Sequence, residues 1–123
     1  MRQEQVRGTW EAISRGNLGP LEALLAPDAK WRAVEDGPWN CQNRERIVEV
    51  MRQNLVESGL AGSVEEVQEV GDRTIVAFRP HHEPDQWPLE NGIRYVVLTE
   101  RDGLVIEMKG CADRQVALDY AQA

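Results

Sequence analysis

Between residues 3 and 15 the apolar side chains Val6, Trp10 and Ile13 recur at steps of four and three, one stripe of a helix that Gly16-Asn17 then stops. A second short helix is expected from Pro20, which suits a first helical turn. Leu21, Leu24 and Leu25 form its buried face, and Pro27-Asp28 ends it. The two read as an αα-hairpin. Residues 29–35 then alternate, with Trp31, Ala33 and Glu35 on one side and Arg32 and Val34 on the other, the period of a strand, until Asp36-Gly37-Pro38 breaks it. Helical spacing returns at Ile47, Val50, Met51, Asn54 and Leu55. It predicts a third helix over 44–58, with Asn43 as its cap and Gly59 at its end.

Beyond this point the period changes from 3.6 to 2. Four strands are predicted, over 63–70, 74–79, 93–100 and 104–111. Gly71-Asp72 and Asp102-Gly103 are tight-turn signals, so two hairpins and antiparallel pairing follow. The stretch 80–92 carries Pro80, Pro84 and Pro88 and reads as a long loop, and residues 113–121 read as a closing helix capped by Asp113. Helices first and antiparallel strands after is the order of an α+β domain whose helices cover one face of a curved sheet. Alternation alone leaves open which face of each strand turns inward.

Composition narrows the functional classes. A chain of 123 residues is the size of one domain, here 1–123, and 41% hydrophobic with 28% charged residues is a globular balance. The formal charge of −7, from 21 acidic against 14 basic residues, repels phosphate backbones and anionic headgroups, so neither nucleic acid nor a membrane is expected as partner. No apolar run approaches the ~20 residues of a spanning helix, and Met1 to Arg7 lacks the apolar core of a signal peptide, so a cytoplasmic protein is expected. Cys41 and Cys111 have no further Cys or His at ligand spacing and are expected as buried, reduced thiols.

Three segments carry a family resemblance: "SRGNLGPLEALLAPDAKW" at 14–31, "GPWNCQNRERI" at 37–47 and "RDGLVIEMKGCADRQVAL" at 101–118. In this order and spacing the chain resembles the SnoaL-like branch of the nuclear transport factor 2 and ketosteroid isomerase superfamily. The resemblance implies a cystatin-like α+β barrel, a sharply bent antiparallel sheet forming a cone around a cavity with three helices packed over it. It also implies a homodimer formed through the sheet. The superfamily holds isomerases, dehydratases, cyclases, epoxide hydrolases and non-catalytic binding modules, so the fold does not decide the activity.

The catalytic sets of those relatives are largely missing. Ketosteroid isomerases hold an enolate with a carboxylate base and acidic donors. By the resemblance the base position falls on Ala33, a donor position near Tyr95 and another near Thr9. Cyclases of the family carry a histidine and an aspartate in the last strand, where this chain has "VIEMKG": Glu107 is kept, Met108 and Gly110 replace the others. The R-x-D pair of the epoxide hydrolases has no match, since Arg79-Pro80-His81 and Arg94-Tyr95-Val96 lack the acid.

Candidates remain among other residues. Glu35 shares a strand face with Trp31 and stands either at a cavity mouth, where desolvation raises a carboxyl's pKa, or in solvent. His81 or His82 is a candidate base, since histidine titrates near neutrality, although a Pro-rich loop is also ordinary surface. His81, His82, Glu83 and Asp85 are too closely spaced for one ion, so no metal and no cofactor is expected. Trp10, Trp31 and Trp39, with Met51 and Val97, are candidate pocket-lining residues for a flat or apolar ligand, or else ordinary core. Trp87 is a candidate lid or dimer contact, and Arg79, Arg94 and Lys109 are expected on a solvated or interfacial sheet face. Two functions stand side by side. One is a binding domain for a hydrophobic small molecule. The other is an isomerase, dehydratase, cyclase or hydrolase for a hydrophobic cyclic substrate, with Glu35 or His81 as base and Tyr95 as donor.

Overall fold

A computed structural model of the chain describes residues 3–33, 40–54, 62–80 and 92–123. Helix α1 (Gln3–Ser14) and helix α2 (Gly19–Leu24) form the expected hairpin, and strand β1 (Leu25–Arg32) follows at once. Helix α3 (Arg44–Asn54) starts where Asn43 caps it, its Oδ1 accepting from the Arg46 amide at 2.8 Å. Strands β2 (Gly62–Val70), β3 (Arg73–Pro80), β4 (Arg94–Arg101) and β5 (Leu104–Cys111) come next, and helix α4 (Arg114–Gln122) is last.

The five strands form one curved sheet in the order β1-β5-β4-β3-β2. The β2–β3 and β4–β5 hairpins pair antiparallel as the turn signals required. Asp102 and Gly103 both take positive φ, 54° and 82°, the two-residue turn whose twist suits a hairpin. Register shifts between Val64 and Glu66 and between Thr99 and Glu100 insert the irregularities that bend a sheet.

Three expectations are corrected. The sheet is mixed, because β1 runs parallel to β5. The first strand begins at Leu25, four residues earlier than the alternation indicated, and carries Pro27 within it. An edge strand tolerates this, since the ladder to β5 breaks between Leu25 and Lys30 and Pro27 withholds no bond there. Finally, there are four helices among the described residues, and they do not share one side.

The sheet separates two apolar clusters. Val6, Trp10 and Ile13 of α1, Leu21 and Leu24 of α2, and Ile47 and Met51 of α3 pack on Val76, Phe78, Val96, Leu98 and Met108. On the opposite face Ala117 and Ala121 of α4 pack on Ile75, Val97 and Cys111. Alternation puts Val96 and Leu98 toward α1–α3 and Val97 toward α4. Ser14 joins α1 to the sheet edge, its Oγ accepting from the Gly62 amide at 3.0 Å and donating to the Gly62 carbonyl.

Polar contacts hold α4 where two alanines alone would grip weakly. Asp113 caps it as expected, Oδ1 accepting from the Val116 amide at 2.9 Å. Arg73 donates to the Tyr120 and Ala123 carbonyls and lies 5.1 Å from the Tyr120 ring centroid. The Tyr120 hydroxyl bonds the Glu107 carboxylate, and burial together with that bond raises the phenol's pKa. Arg114 forks onto both Glu66 oxygens at 2.6 and 3.0 Å, which holds the Glu66 carboxyl below its ordinary range.

The Arg114–Glu66 pair is exposed, so Arg114→Ala is expected to lower stability by less than about 1 kcal/mol at neutral pH. A depressed carboxyl pKa stabilises the fold above the unfolded value and ceases to do so as pH falls through the folded one. The difference between wild type and variant in urea midpoint should therefore shrink on acidification.

Candidate functional site

Cross-strand rows lay out the sheet face beneath α1–α3. Trp31, Met108, Leu98 and Thr74 stand in one row across β1, β5, β4 and β3. Val96, Val76 and Val67 form the next. Arg94, Phe78 and Val64 form the third. Directly opposed residues of an antiparallel pair have Cβ atoms about 5 Å apart, so Arg94 and Phe78 are side-by-side neighbours.

Helix α1 sets Trp10 over the third row, its ring centroid 6.5 Å from that of Phe78 and the planes tilted by 55°. The indole is 1% exposed, and its Nε1 is buried with no hydrogen-bond partner among the described residues. Nearby polar groups are few. Among the described residues the buried polar side chains are Thr9, Thr74 and Arg94. Thr9 is satisfied locally, donating to the Gln5 carbonyl at 2.8 Å.

Arg94 is 7% exposed, and burial pulls its pKa down to about 10, so the guanidinium stays charged at neutral pH. The sequence reading placed it on a solvated or interfacial face beside Arg79 and Lys109. The structure overturns this for Arg94 because it is in phase with Val96 and Leu98, which face the helices. Arg79 pairs with Glu65 at 3.2 Å on the surface, and Lys109 Nζ reaches the Ala33 carbonyl at 2.7 Å.

Of the residues singled out from sequence, Trp10, Trp31 and Met51 meet in the cluster under α1–α3. Val97 does not join them: it pairs with Ile75 and Lys109 and lies in the cluster under α4. Tyr95 shares that face, packed against the same cluster and within interaction range of Arg114, so it cannot donate to a ligand among the tryptophans. One residue's difference in phase decides both. Glu35, His81 and Trp39 lie outside the described residues, as do His82, Glu83, Asp85 and Trp87. Glu107 stands on the α4 side, bonded to Tyr120.

Two residues that the sequence reading did not place on this interior face stand on it, Phe78 and Arg94. Arg94's signal was the alternation of β4, where it is two and four residues from Val96 and Leu98, and Phe78's was the alternation of β3, where it is two residues from Val76. Tyr95 and Val97 alternate equally well, and only the helices' position chooses between the two sets.

Cys41 and Cys111 are buried thiols, not joined in a disulfide, on opposite sides of the sheet. Desolvation raises both thiols, Cys111 to about 11. Neither should react with a thiol reagent in the native protein, and both should react after denaturation. Because the folded pKa of Cys111 exceeds the ordinary thiol value of 9.0, stability holds below that pH and falls as pH rises from there toward 11. Alkaline titration of the unfolding midpoint checks the sign.

Among the described residues no group of three or more His, Cys, Asp or Glu side chains is placed to hold a metal ion. No described helix is long and apolar enough to cross a membrane.

The sequence model of the SnoaL-like domain family matches residues 6–108. No functionally curated protein matches the chain. Solved structures do. A protein from Sinorhizobium meliloti described as a polyketide cyclase aligns at TM-score 0.65 and 19% identity, over 89% of this chain and 94% of that one. A nuclear transport factor 2-like protein from Burkholderia xenovorans aligns at TM-score 0.69 and 15% identity, over 91% and 84%. TerC, co-crystallised with polyporic acid, aligns at TM-score 0.63 and 16% identity, over 98% and 97%.

Proposed function

The chain belongs to the SnoaL-like domain family, and on that premise we propose that it binds an apolar small molecule between helices α1–α3 and the sheet face beneath them. The observation that carries this is the Trp10 indole N–H, 1% exposed and without a partner among the described residues, inside a shell of apolar side chains. A buried donor left unsatisfied costs about 1–3 kcal/mol, a sizeable share of a domain's stability. A ligand with an oxygen acceptor removes that cost on binding, and Phe78 and Trp31 offer it apolar contact area. Kinship with a fold that includes a protein described as a polyketide cyclase and one co-crystallised with polyporic acid supports the reading at the level of architecture.

Thermal unfolding against a panel of ring compounds carrying carbonyl or hydroxyl groups tests it. A ligand at a hundred times its Kd adds about 2.7 kcal/mol, an easily measured rise in Tm. Trp10→Phe keeps a ring and removes the donor, so the ligand-dependent rise should shrink. A panel that leaves the wild type unmoved throughout removes the proposal.

A second reading is favoured by Arg94. A buried cation is suited to holding negative charge that develops on oxygen, as an isomerase, dehydratase, cyclase or hydrolase acting on a hydrophobic cyclic substrate requires. Its proton-transfer group would come from Glu35 or His81, because Tyr95 faces α4. Turnover abolished in Glu35→Gln or His81→Ala, with ligand binding intact, would establish this reading over the first.

A further inference from the structure

We infer that helix α4 is a strap: it lifts off its face of the sheet as one unit while the rest of the domain stays folded, and Tyr120 is the residue that latches it.

The grip of α4 differs from that of the helices on the other face. Where α1 and α3 bury Val6, Trp10, Ile13, Ile47 and Met51, the side chains that α4 buries are Ala117 and Ala121. Its Val116 is 44% exposed. Burial stabilises in proportion to the apolar area removed from water, and a pair of methyl groups removes little. Nor can α4 stand alone. Its 9 residues fall short of the roughly 12–15 that an isolated helix needs in water, so it is helical only while docked. An element with few buried apolar contacts opens at a lower free energy than the core beside it.

Polar contacts offset the weak apolar grip, and they converge on one residue. The Tyr120 hydroxyl donates to the Glu107 carboxylate of β5. Arg73 of β3 donates to the Tyr120 carbonyl and lies over its ring, and Nη1 of Arg32 on β1 stands 3.5 Å from the hydroxyl oxygen. Glu107 and Arg73 are both cross-strand partners of Thr99, one on each side of β4, so Tyr120 spans that strand to reach both. At the other end of α4 the Arg114–Glu66 pair is exposed and holds weakly. Beneath the helix Cys111 packs with Ile75 and Val97, and lifting α4 uncovers its thiol.

Amide hydrogen exchange of the full chain, followed by NMR in urea below the unfolding transition, tests this. In the wild type the α4 amides should exchange about tenfold or more faster than those of Val76, Val96 and Leu98 in the central strands. Their rates should also climb less steeply with urea, because a local opening exposes less surface than unfolding. Tyr120→Phe keeps the ring and removes the hydroxyl, so α4 exchange should quicken about tenfold or more, the scale of one hydrogen bond to a charged group. Ile47→Val is the counterpart. It thins the core under α3, which stays intact when α4 lifts. Exchange of the central strands should quicken about two- to tenfold, and that of α4 should not change. Labelling of Cys111 by a thiol reagent in the same urea should follow the α4 amides, faster in Tyr120→Phe and unchanged in Ile47→Val.

Equal exchange of α4 and the central strands in the wild type would overturn the strap, since α4 would then open only with the whole domain. So would an Ile47→Val protein in which α4 quickens as much as the strands. An α4 rate unmoved by Tyr120→Phe would overturn the latch. The wild-type comparison needs no variant to fold, and no ligand enters any of the measurements, so the outcome bears on α4 and not on the binding function proposed above.

Discussion

Phe78→Ala should cost the fold about 3–5 kcal/mol, a large part of the roughly 5–15 kcal/mol that holds a domain of this size together. Phe78 is fully buried in β3, beneath Trp10 and beside Arg94. Truncation removes its transfer free energy and opens a void that the strand and α1 cannot close without parting from each other. Leu104→Ala is the comparison. Leu104 is 36% exposed at the start of β5, and its removal should change stability by about 0.5 kcal/mol or less. Urea unfolding of the two variants with wild type measures both. A loss below about 1 kcal/mol at Phe78 would show that the layer between α1 and the sheet is loosely filled, contrary to the packing described.

The second large effect is expected at a glycine. A Cβ added to Gly62 would lie 2.2 Å from the Arg79 carbonyl oxygen, 2.7 Å from its carbon and 2.8 Å from the Pro80 Cα. These are backbone atoms, so no side chain can swing aside. Gly62 pairs with Pro80 at the end of the β2–β3 ladder and is clasped by Ser14 on α1. Gly62→Ala must pull both contacts apart, at a cost of about 1–3 kcal/mol. Gly8, within α1, meets nothing within 4 Å of an added Cβ, so Gly8→Ala should stabilise by about 0.5–1 kcal/mol through helix propensity alone. Opposite signs for the same chemical change, read from thermal unfolding, are the expected result.

Much of this architecture was legible in the order of residues. Period and punctuation located every described element, and the caps at Asn43 and Asp113 were read from their side chains alone. Failures came where the deciding contact is distant in sequence. Nothing local in residues 25–32 declares that β1 will lie parallel to β5, and Pro27 reads as a stop unless the strand is known to be an edge. The site suffered in the same way. Of the candidate group Trp10, Trp31, Trp39, Met51 and Val97, helical and strand stripes identify Trp10, Trp31 and Met51 individually, and these three share one interior cluster. Val97 takes the other face, and Trp39 lies outside the described residues. Tyr95, Val97 and Arg94 lie on a strand apolar on both faces, so its inward phase depends on which side α1–α3 occupy and which side α4 occupies. A charged residue in such a strand reads as solvent-facing by default, which is why Arg94 was misplaced.

The parallel pairing of β1 with β5 has a kinetic corollary. The two hairpins can zip locally, each across a two-residue turn, but the leading strand has to wait for a neighbour translated long after it, and its docking closes a very large loop. Until then Trp31 has no mate on the sheet and the edge of β5 is open to strangers. Slow final closure, with a window for misassembly at crowded concentrations, is built into the wiring of the molecule.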